Sequence, residues 1–235
     1  MSAFVLKLIA CAIMLTDHIG AVFPAPRTPF VMREIGRIAF PIFAYMIAQG
    51  CKRTRNIYKY AARLLIFALI SEIPFDLAFR LTPGINFLKD TNVYFTLFLG
   101  VACIALYELL KTKLKLPWPL ALLLAVVPSA LGNMLTTDYG TLGVAFILVF
   151  YFAKPENRIW RTAAMILVVF TEYGVEFLKF PSAYNRGLFL FALLAAPLVF
   201  LYNGKQGPKL KWSFYAFYPV HLSALAAAAY LLSGR

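Results

Sequence analysis

The chain has 235 residues, of which 62% are hydrophobic and 14% are charged, and its formal net charge at pH 7 is +13. A soluble domain carries about 45–50% apolar and about 25% charged residues, so this composition excludes a soluble globular protein and indicates an integral membrane protein. The basic residues are scattered among short loops and form no continuous stripe with interleaved aromatic residues, which argues against nucleic-acid binding.

Apolar segments divide the whole chain, and the breaks between them carry proline, glycine or charged residues. They leave no room for a soluble domain, so we expect a single transmembrane domain over residues 1–235. The predicted fold is an all-α polytopic membrane protein, a bundle of about nine (roughly 8–10) transmembrane helices. The segments lie near residues 4–23, 36–50, 60–79, 92–110, 118–135, 139–153, 160–178, 187–202 and 214–232.

The first apolar segment is the obvious place for a cleavable signal peptide. No basic stretch precedes Lys7, Asp17 and His18 interrupt the apolar run, and Pro26 follows the only small-residue site. We therefore expect a retained span. Most loop lysines and arginines fall in the second, fourth, sixth and eighth loops, so the positive-inside rule predicts a cytoplasmic N-terminus and an outer C-terminus.

Asp17 and His18 are ionisable residues within this first span. Such groups are costly in a bilayer and persist mainly where they face protein or water. Lys7 and His18 share one helix face about 16 Å apart along the axis, with Cys11 and Met14 between them. Asp17 is rotated by about 100° from His18, so we expect a partner for His18 from another span or from the backbone. The alternative is a structural histidine satisfied by a neighbouring helix.

Further charged groups fall on the predicted outer side. Arg37 could pair with Asp17 or bind an anionic or carbonyl oxygen, and the alternative is an interfacial arginine whose charged end reaches the membrane surface. Glu72 and Asp76 share one helix face around Pro74, and two acids so placed indicate a functional or site-supporting role. Other polar residues that could line an acceptor site are Asn92, Asp138, Tyr139, Gly140 and Glu172.

The loop 202–207 and His221 form the last cluster. A cytoplasmic loop with glycines and lysines can bind a phosphate through backbone N–H groups and ammonium charge, although it is no Walker A loop and a plain polar turn is the alternative. His221 lies within the last span as either a second catalytic group or a hydrogen-bonded structural residue. The cysteines, Cys11, Cys51 and Cys103, have neither disulfide nor metal-ligand spacing and are interpreted as small apolar residues.

Five runs of residues along the chain resemble the TraX family, named for the membrane protein that acetylates the N-terminus of conjugative F pilin. The family in turn is similar to transmembrane acyltransferases that take an acyl group from cytoplasmic acyl-CoA and pass it to an acceptor across the membrane. The resemblance implies a bacterial cytoplasmic-membrane enzyme. The runs are Leu6–Ala10 through Asp17–Gly20, Gly36–Phe43, Ser71–Asp76, Tyr202–Lys205 and Tyr218–Leu222.

This resemblance also implies roles for individual residues. His18 would be the general base or the acyl carrier, since a basic residue, ten intervening residues and a catalytic histidine recur in the wider group and match Lys7 and His18. Lys7 and loop residues such as Lys205 would bind the phosphates of acetyl-CoA. Arg37 or Asn92 would stabilise the oxyanion. The full set expected is His18, Asp17, Arg37, Glu72 and Asp76 for catalysis, and Lys7, Asn203, Lys205 and His221 for the acyl-CoA; no metal is expected.

Two other classes of function remain open from the sequence. A small proton-coupled transporter would use Glu72, Asp76 and Glu172 as a proton path. A non-catalytic membrane partner or assembly factor would not need His18. For the enzyme, the acceptor stays open between a pilin amine, a surface glycan, a lipid head group and an exported small molecule.

Overall fold

The computed structural model describes residues 1–23, 28–79, 90–153 and 157–232, and these residues form ten helical segments without a β-strand among them. The break at Pro26 lies outside the described residues. The segments are α1 (Ala3–Val22), α2 (Thr28–Gly36), α3 (Ala39–Arg53), α4 (Ile57–Phe79), α5 (Val93–Thr112), α6 (Trp118–Met134), α7 (Gly140–Phe152), α8 (158–179), α9 (Ala183–Phe200) and α10 (Lys211–Leu232).

The predicted all-α membrane fold is confirmed, and each predicted apolar segment coincides with a helix to within a few residues. Among the described residues, four helices are long and apolar enough to cross a membrane by length and composition: α1, α5, α9 and α10. The helices α6 and α7 are apolar but shorter. Helix α4 is also long enough to cross a membrane. It differs from these four helices in its charged residues, which are Lys59, Arg63, Glu72 and Asp76.

Helix α2 was not predicted, because its nine residues are too few and too polar to be recognised as an apolar segment. It packs against α1 and against α9. The contact with α9 is close at Gly187, where a Cβ atom would lie 2.1 Å from Oε1 of Glu34. A side chain at position 187 would therefore displace the Glu34 carboxylate from its place between the two helices.

One end of the bundle is closed by the loop between α9 and α10. The backbone N–H groups of Ala3 and Phe4, which begin α1 and have no partner within the helix, donate to the carbonyls of Lys205 and Gln206 at 2.8 and 3.0 Å. In return, the backbone N–H of Asn203 donates to the carbonyl of Met1 at 2.9 Å. The loop thus satisfies the first turn of α1 and holds the first and last helices together.

At the opposite end of the bundle, threonine side chains join the start of α5 to the turn before α7. The Thr91 hydroxyl donates to the carbonyl of Leu135 at 3.0 Å, and the hydroxyls of Thr96 and Thr137 lie 3.0 Å apart. The turn before α7 is therefore fixed against the start of α5, at the end of the bundle where α1 terminates.

The predicted orientation can be tested with two matched exposed lysines, Lys113 after α5 and Lys179 at the end of α8. With the N-terminus cytoplasmic, Lys179→Cys should react with a membrane-impermeant maleimide in intact cells and Lys113→Cys should not. The native cysteines are buried and contribute little background. Both variants should react after permeabilisation, and the reverse pattern in intact cells would show that the topology is inverted.

Candidate active site

Segments of α1, α3, α5, the turn before α7 and α10 enclose a cavity. Counted as the space open to the centres of water-sized spheres, its volume is about 70 Å³. One water needs about 10–15 Å³ on this measure, so the cavity can hold several waters or a small acyl group. Its lining residues are Cys11, Met14, Asp17, His18, Gly36, Ala39, Phe40, Phe43, Val93, Tyr94, Leu97, Asp138, Tyr139, Phe214 and Tyr218.

His18 in the cavity wall is hydrogen-bonded to His221 from the last helix. Nδ1 of His18 lies 2.7 Å from Nε2 of His221, and the two ring planes differ by 11° with their centroids 5.0 Å apart. Two stacked rings are separated by a van der Waals contact, which is longer than this nitrogen–nitrogen distance. The two imidazoles therefore lie edge to edge, nearly in one plane. The expectation that another span supplies the partner of His18 is confirmed.

The hydrogen bonds assign the tautomers of this neutral pair. Nδ1 of His221 lies 2.7 Å from the carbonyl oxygen of Phe217, which can only accept, so Nδ1 carries the proton and Nε2 does not. Nε2 of His221 must then accept from Nδ1 of His18. His18 is left with an unprotonated Nε2. His18 lines the cavity and its Nδ1 is engaged by His221, so Nε2 is the ring nitrogen that remains for a ligand.

Aromatic rings hold both imidazoles in place. The Phe217 ring stacks on His221 with centroids 4.7 Å apart, and Phe79 meets His18 edge-on at 5.2 Å. Both histidines are buried, at 8% and 6% relative exposure. Packed rings on each side restrict rotation, so the hydrogen bond between the imidazoles is preorganised.

Asp17, the neighbour of His18, is bound by two arginines. Nη2 of Arg37 donates to both carboxylate oxygens at 2.8 and 2.9 Å, and Nη1 of Arg33 lies 2.9 Å from Oδ2. The Arg37 Nε also donates to the carbonyl of Arg33 at 3.0 Å. The predicted pairing of Arg37 with Asp17 is confirmed, and this pair ties α1 to the junction of α2 and α3 beside the cavity.

Gly36 makes this ion pair possible. A Cβ atom at position 36 would lie 2.2 Å from Oδ1 of Asp17 and 2.3 Å from Cγ, far inside contact distance. Only glycine therefore lets α2 approach the carboxylate closely enough for Arg33 and Arg37 to reach it.

Asp138 and Tyr139 add polar groups to the wall near this ion pair. Asp138 is exposed at the cavity, while the Tyr139 ring stacks on Phe40 with centroids 3.4 Å apart. Both belong to the turn that the threonine contacts fix against α5. They place a carboxylate and a phenol on the same cavity as His18.

Glu72 and Asn92 form a separate polar contact outside the cavity wall. Nδ2 of Asn92 donates to Oε2 of Glu72 at 2.5 Å and to the carbonyl of Ala68 at 2.8 Å, while its Oδ1 accepts from the first-turn N–H of Tyr94. Among the residues that the structure describes around the cavity, Glu72, Asn92 and Asp76 do not appear. The arrangement joins α4 to the start of α5, and the structure does not bring these carboxylates to His18.

The residues expected to bind acyl-CoA lie toward the other end. Cys11, Met14 and His18 line one wall of the cavity, and Nζ of Lys7 lies 5.3 Å from the ring centroid of Phe214, a lining residue. In the loop, the Asn203 side chain accepts from the backbone N–H of Lys205 at 3.0 Å. The backbone N–H groups of both residues are thus already bonded, which leaves the exposed Lys205 side chain as the group able to bind an anion.

Arginines also gather around this loop. Arg53 donates to the Tyr202 hydroxyl at 2.7 Å and to the carbonyl of Gly204 at 3.1 Å. The buried Arg161 donates to the carbonyls of Phe200 and Tyr202. These contacts fix the loop, and they give this end of the bundle a positive charge.

Two tyrosines of the site were missed from the sequence. Tyr94 donates to the carbonyl of Tyr215 at 3.1 Å, an acceptor left free because Pro219, four residues later, has no N–H. Tyr218 lines the cavity at 2% exposure, and its O–H has no acceptor in the protein. The proline was a usable signal for the first; the second begins one of the five runs that carry the family resemblance, which was the signal available for it. His221 was expected with the acyl-CoA residues, whereas the structure places it behind His18 and not in the described wall of the cavity.

The fold and the site define a helical membrane protein with a histidine pair and an arginine-bound aspartate at an internal cavity. Comparison with known proteins gives the family. The TraX protein family model matches residues 2–228, and the chain belongs to the TraX family.

Two relatives extend this comparison. A probable fimbrial assembly protein FimC, serogroup H1, of Dichelobacter nodosus is 30% identical over 246 residues, covering 98% of this chain and 97% of the relative. An uncharacterized protein of Rickettsia prowazekii is 27% identical over 164 residues, covering 69% of this chain and 60% of the relative. No solved structure matches the chain.

The ion pair predicts a stability effect at Asp17. Asp17→Asn keeps the shape of the side chain but leaves Arg33 and Arg37 without a counter-charge, at side-chain exposures of 32% and 16%. We expect the free energy of unfolding to fall by about 1–3 kcal/mol, measured as a lower melting temperature in detergent. Glu176→Gln, which neutralises an exposed carboxylate, is the control and should change little. Equal melting temperatures for wild type and Asp17→Asn would contradict a structural role for the ion pair.

Proposed function

We propose that this TraX-family chain is a multi-pass acetyltransferase of the bacterial cytoplasmic membrane. It would move an acetyl group from cytoplasmic acetyl-CoA to an amine or hydroxyl acceptor at the membrane or its outer face. The observation that carries the proposal is the histidine pair: hydrogen bonds from Phe217 through His221 leave His18 with an unprotonated Nε2 at a cavity large enough for an acyl group.

His18 acts in this proposal as a general base. Its Nε2 removes the proton from the acceptor as the acceptor attacks the thioester carbon, and returns that proton to the sulfur as the carbon–sulfur bond breaks. Such a group contributes about 10²–10⁴-fold to the rate. His221 accepts from Nδ1 throughout, so it keeps the tautomer and stabilises the imidazolium. The same Nε2 would be the attacking atom if the acetyl group passed through His18 itself.

The donor would enter from the end that carries the lysines and arginines. Lys7 lies about 16 Å from His18 along α1, and Cys11 and Met14 line the wall between them. An extended thiol arm along this stripe would bring the thioester to His18. Lys7 and Lys205, with Asn203 shaping the loop, would bind the phosphates.

The acceptor would enter from the opposite end, where Asp138 and Tyr139 line the cavity. The family resemblance points to the N-terminal amine of a pilin, and the Dichelobacter nodosus relative carries the name of a fimbrial assembly protein. Both support a pilin subunit as the acceptor. The proton path considered for a transporter has less support, because Glu72 is bound to Asn92, and neither Glu72, Asp76 nor Glu172 is among the described cavity-lining residues.

The proposal is tested by release of free CoA from acetyl-CoA by purified protein in nanodiscs, with pooled amines, sugars and pilin peptides as acceptors. His18→Ala should lower kcat by about 10²-fold or more. His221→Phe keeps a ring in place but removes the acceptor for Nδ1, so it should lower kcat by less and leave KM for acetyl-CoA unchanged.

The melting temperature of each variant serves as the control for folding. Turnover that does not depend on His18, in variants that fold like the wild type, would contradict the proposed base. If wild-type protein neither binds acetyl-CoA nor releases CoA with any pool, the acetyltransferase proposal is wrong. Proton-coupled uptake in vesicles would then become the measurement to make.

A further inference from the structure

Tyr218 carries a buried O–H group that donates to no acceptor in the protein. Its side chain is 2% exposed, and the polar group that approaches its oxygen is a donor, the backbone N–H of Val93. The residue lines the same cavity as His18, with the ring centroids 5.9 Å apart. The ring is fixed from a second side by an edge-on contact with Tyr94 at 5.2 Å. The ring that carries this O–H group is therefore held beside the candidate base.

An unsatisfied buried hydroxyl normally destabilises a fold by about 1–3 kcal/mol. The neighbouring Tyr94 is satisfied, since its hydroxyl donates to the carbonyl that Pro219 leaves free. No such acceptor meets Tyr218. A buried O–H donor without an acceptor, on a residue that lines a cavity, requires an explanation, and a ligand in that cavity would supply the acceptor.

The groups expected from the sequence to stabilise an oxyanion are engaged elsewhere. Arg37 is bound to both oxygens of Asp17 and to the carbonyl of Arg33. Asn92 donates to Glu72 and Ala68. Among the described lining residues, neither Arg37 nor Asn92 appears.

We propose that Tyr218 is a catalytic residue that donates a hydrogen bond to the carbonyl oxygen of the reacting acyl group. The inference rests on the proposed acyl transfer. As the acceptor atom bonds to the thioester carbon, the carbonyl π electrons move onto oxygen, and the Tyr218 O–H stabilises that negative charge. The carbonyl then re-forms, the carbon–sulfur bond breaks, and His18 delivers the acceptor's proton to the sulfur. Tyr218 keeps its own proton throughout.

Tyr218→Phe tests this role, because it removes one oxygen and keeps the ring. We expect kcat for His18-dependent CoA release to fall by about 10²–10³-fold. KM for acetyl-CoA should change little, and the melting temperature should stay the same or rise since an unsatisfied hydroxyl is gone. The control is Tyr45→Phe: Tyr45 is fully buried and its O–H also lacks an acceptor, with the Arg161 side chain as the donor to its oxygen, but Tyr45 is not among the described lining residues. It should leave kcat unchanged.

The outcomes separate this role from the proposed function. If His18→Ala is inactive and Tyr218→Phe keeps the wild-type kcat, the Tyr218 assignment is overturned and the acetyltransferase stands. A loss seen only in KM also overturns it. If wild type releases no CoA, both proposals fall. Should Tyr218→Phe not fold, Tyr218→Gln and Tyr218→Met provide a donor and a non-donor of similar size, and equal kcat values for the two would refute donation.

Discussion

The hydrogen bond between His18 and His221 is the contact on which the site depends, because it joins the first and last helices of the bundle at a buried point. Asp17, the adjacent residue on α1, is turned by about 100° and is satisfied from another direction by Arg33 and Arg37. Burying either polar group without its partner would be costly in an apolar interior. Two neighbouring residues of α1 therefore fix both its rotation and its depth. The close approach of α2 at Gly36 and the packing of Phe79 and Phe217 follow from that placement.

The start of α5 joins α4 and α10 in the same way, by pairing buried polar groups. Asn92 begins the helix, bonding the first-turn N–H of Tyr94 while its amide reaches Glu72 and Ala68 on α4. Two residues later, the Tyr94 hydroxyl occupies the carbonyl of Tyr215 that Pro219 leaves open on α10. The first turn of α5 thus forms hydrogen bonds with polar groups of both α4 and α10. This accounts for the partial burial of Glu72 and the full burial of Asn92 at the contact between α4 and α5, and it explains why α10 tolerates a proline next to the site.

Much of the fold could be predicted from the sequence, because an apolar segment long enough to cross a bilayer is a strong signal at every position of its length. The stripe of Cys11, Met14 and His18 followed from helical periodicity alone, and rotation excluded Asp17 as the partner of His18. The identity of that partner could not be read from the sequence, since His221 lies 203 positions away and a single sequence gives no register between distant helices. Helix α2 was missed because its polar residues are matched only in three dimensions, by Asp17. The pairing of Arg37 with Asp17 was one of two alternatives open from the sequence, whereas the contacts of Asn92 with Glu72 and Ala68 depend on the packing of α4 against α5 and could not be predicted.

The distribution of charge along the bundle supports transfer through a single fixed site. Lysines and arginines collect around Lys7 and the loop 202–207, whereas Asp138 lies at the other end of the cavity, near the arginine-bound Asp17. An anionic donor would be attracted to the first end, whereas at the second end the charges of Asp17 and Asp138 are balanced by those of Arg33 and Arg37, an arrangement suited to a neutral amine or hydroxyl. The two would meet at His18, where much of the cavity wall is apolar and a low local dielectric strengthens each hydrogen bond to the reacting atoms. Aromatic neighbours restrict the rotation of both imidazole rings. His18 would therefore serve the donor and the acceptor from one position, without movement of a helix. The donor and the acceptor would each extend to His18 from opposite ends of the cavity, and the protein would supply the preorganised site.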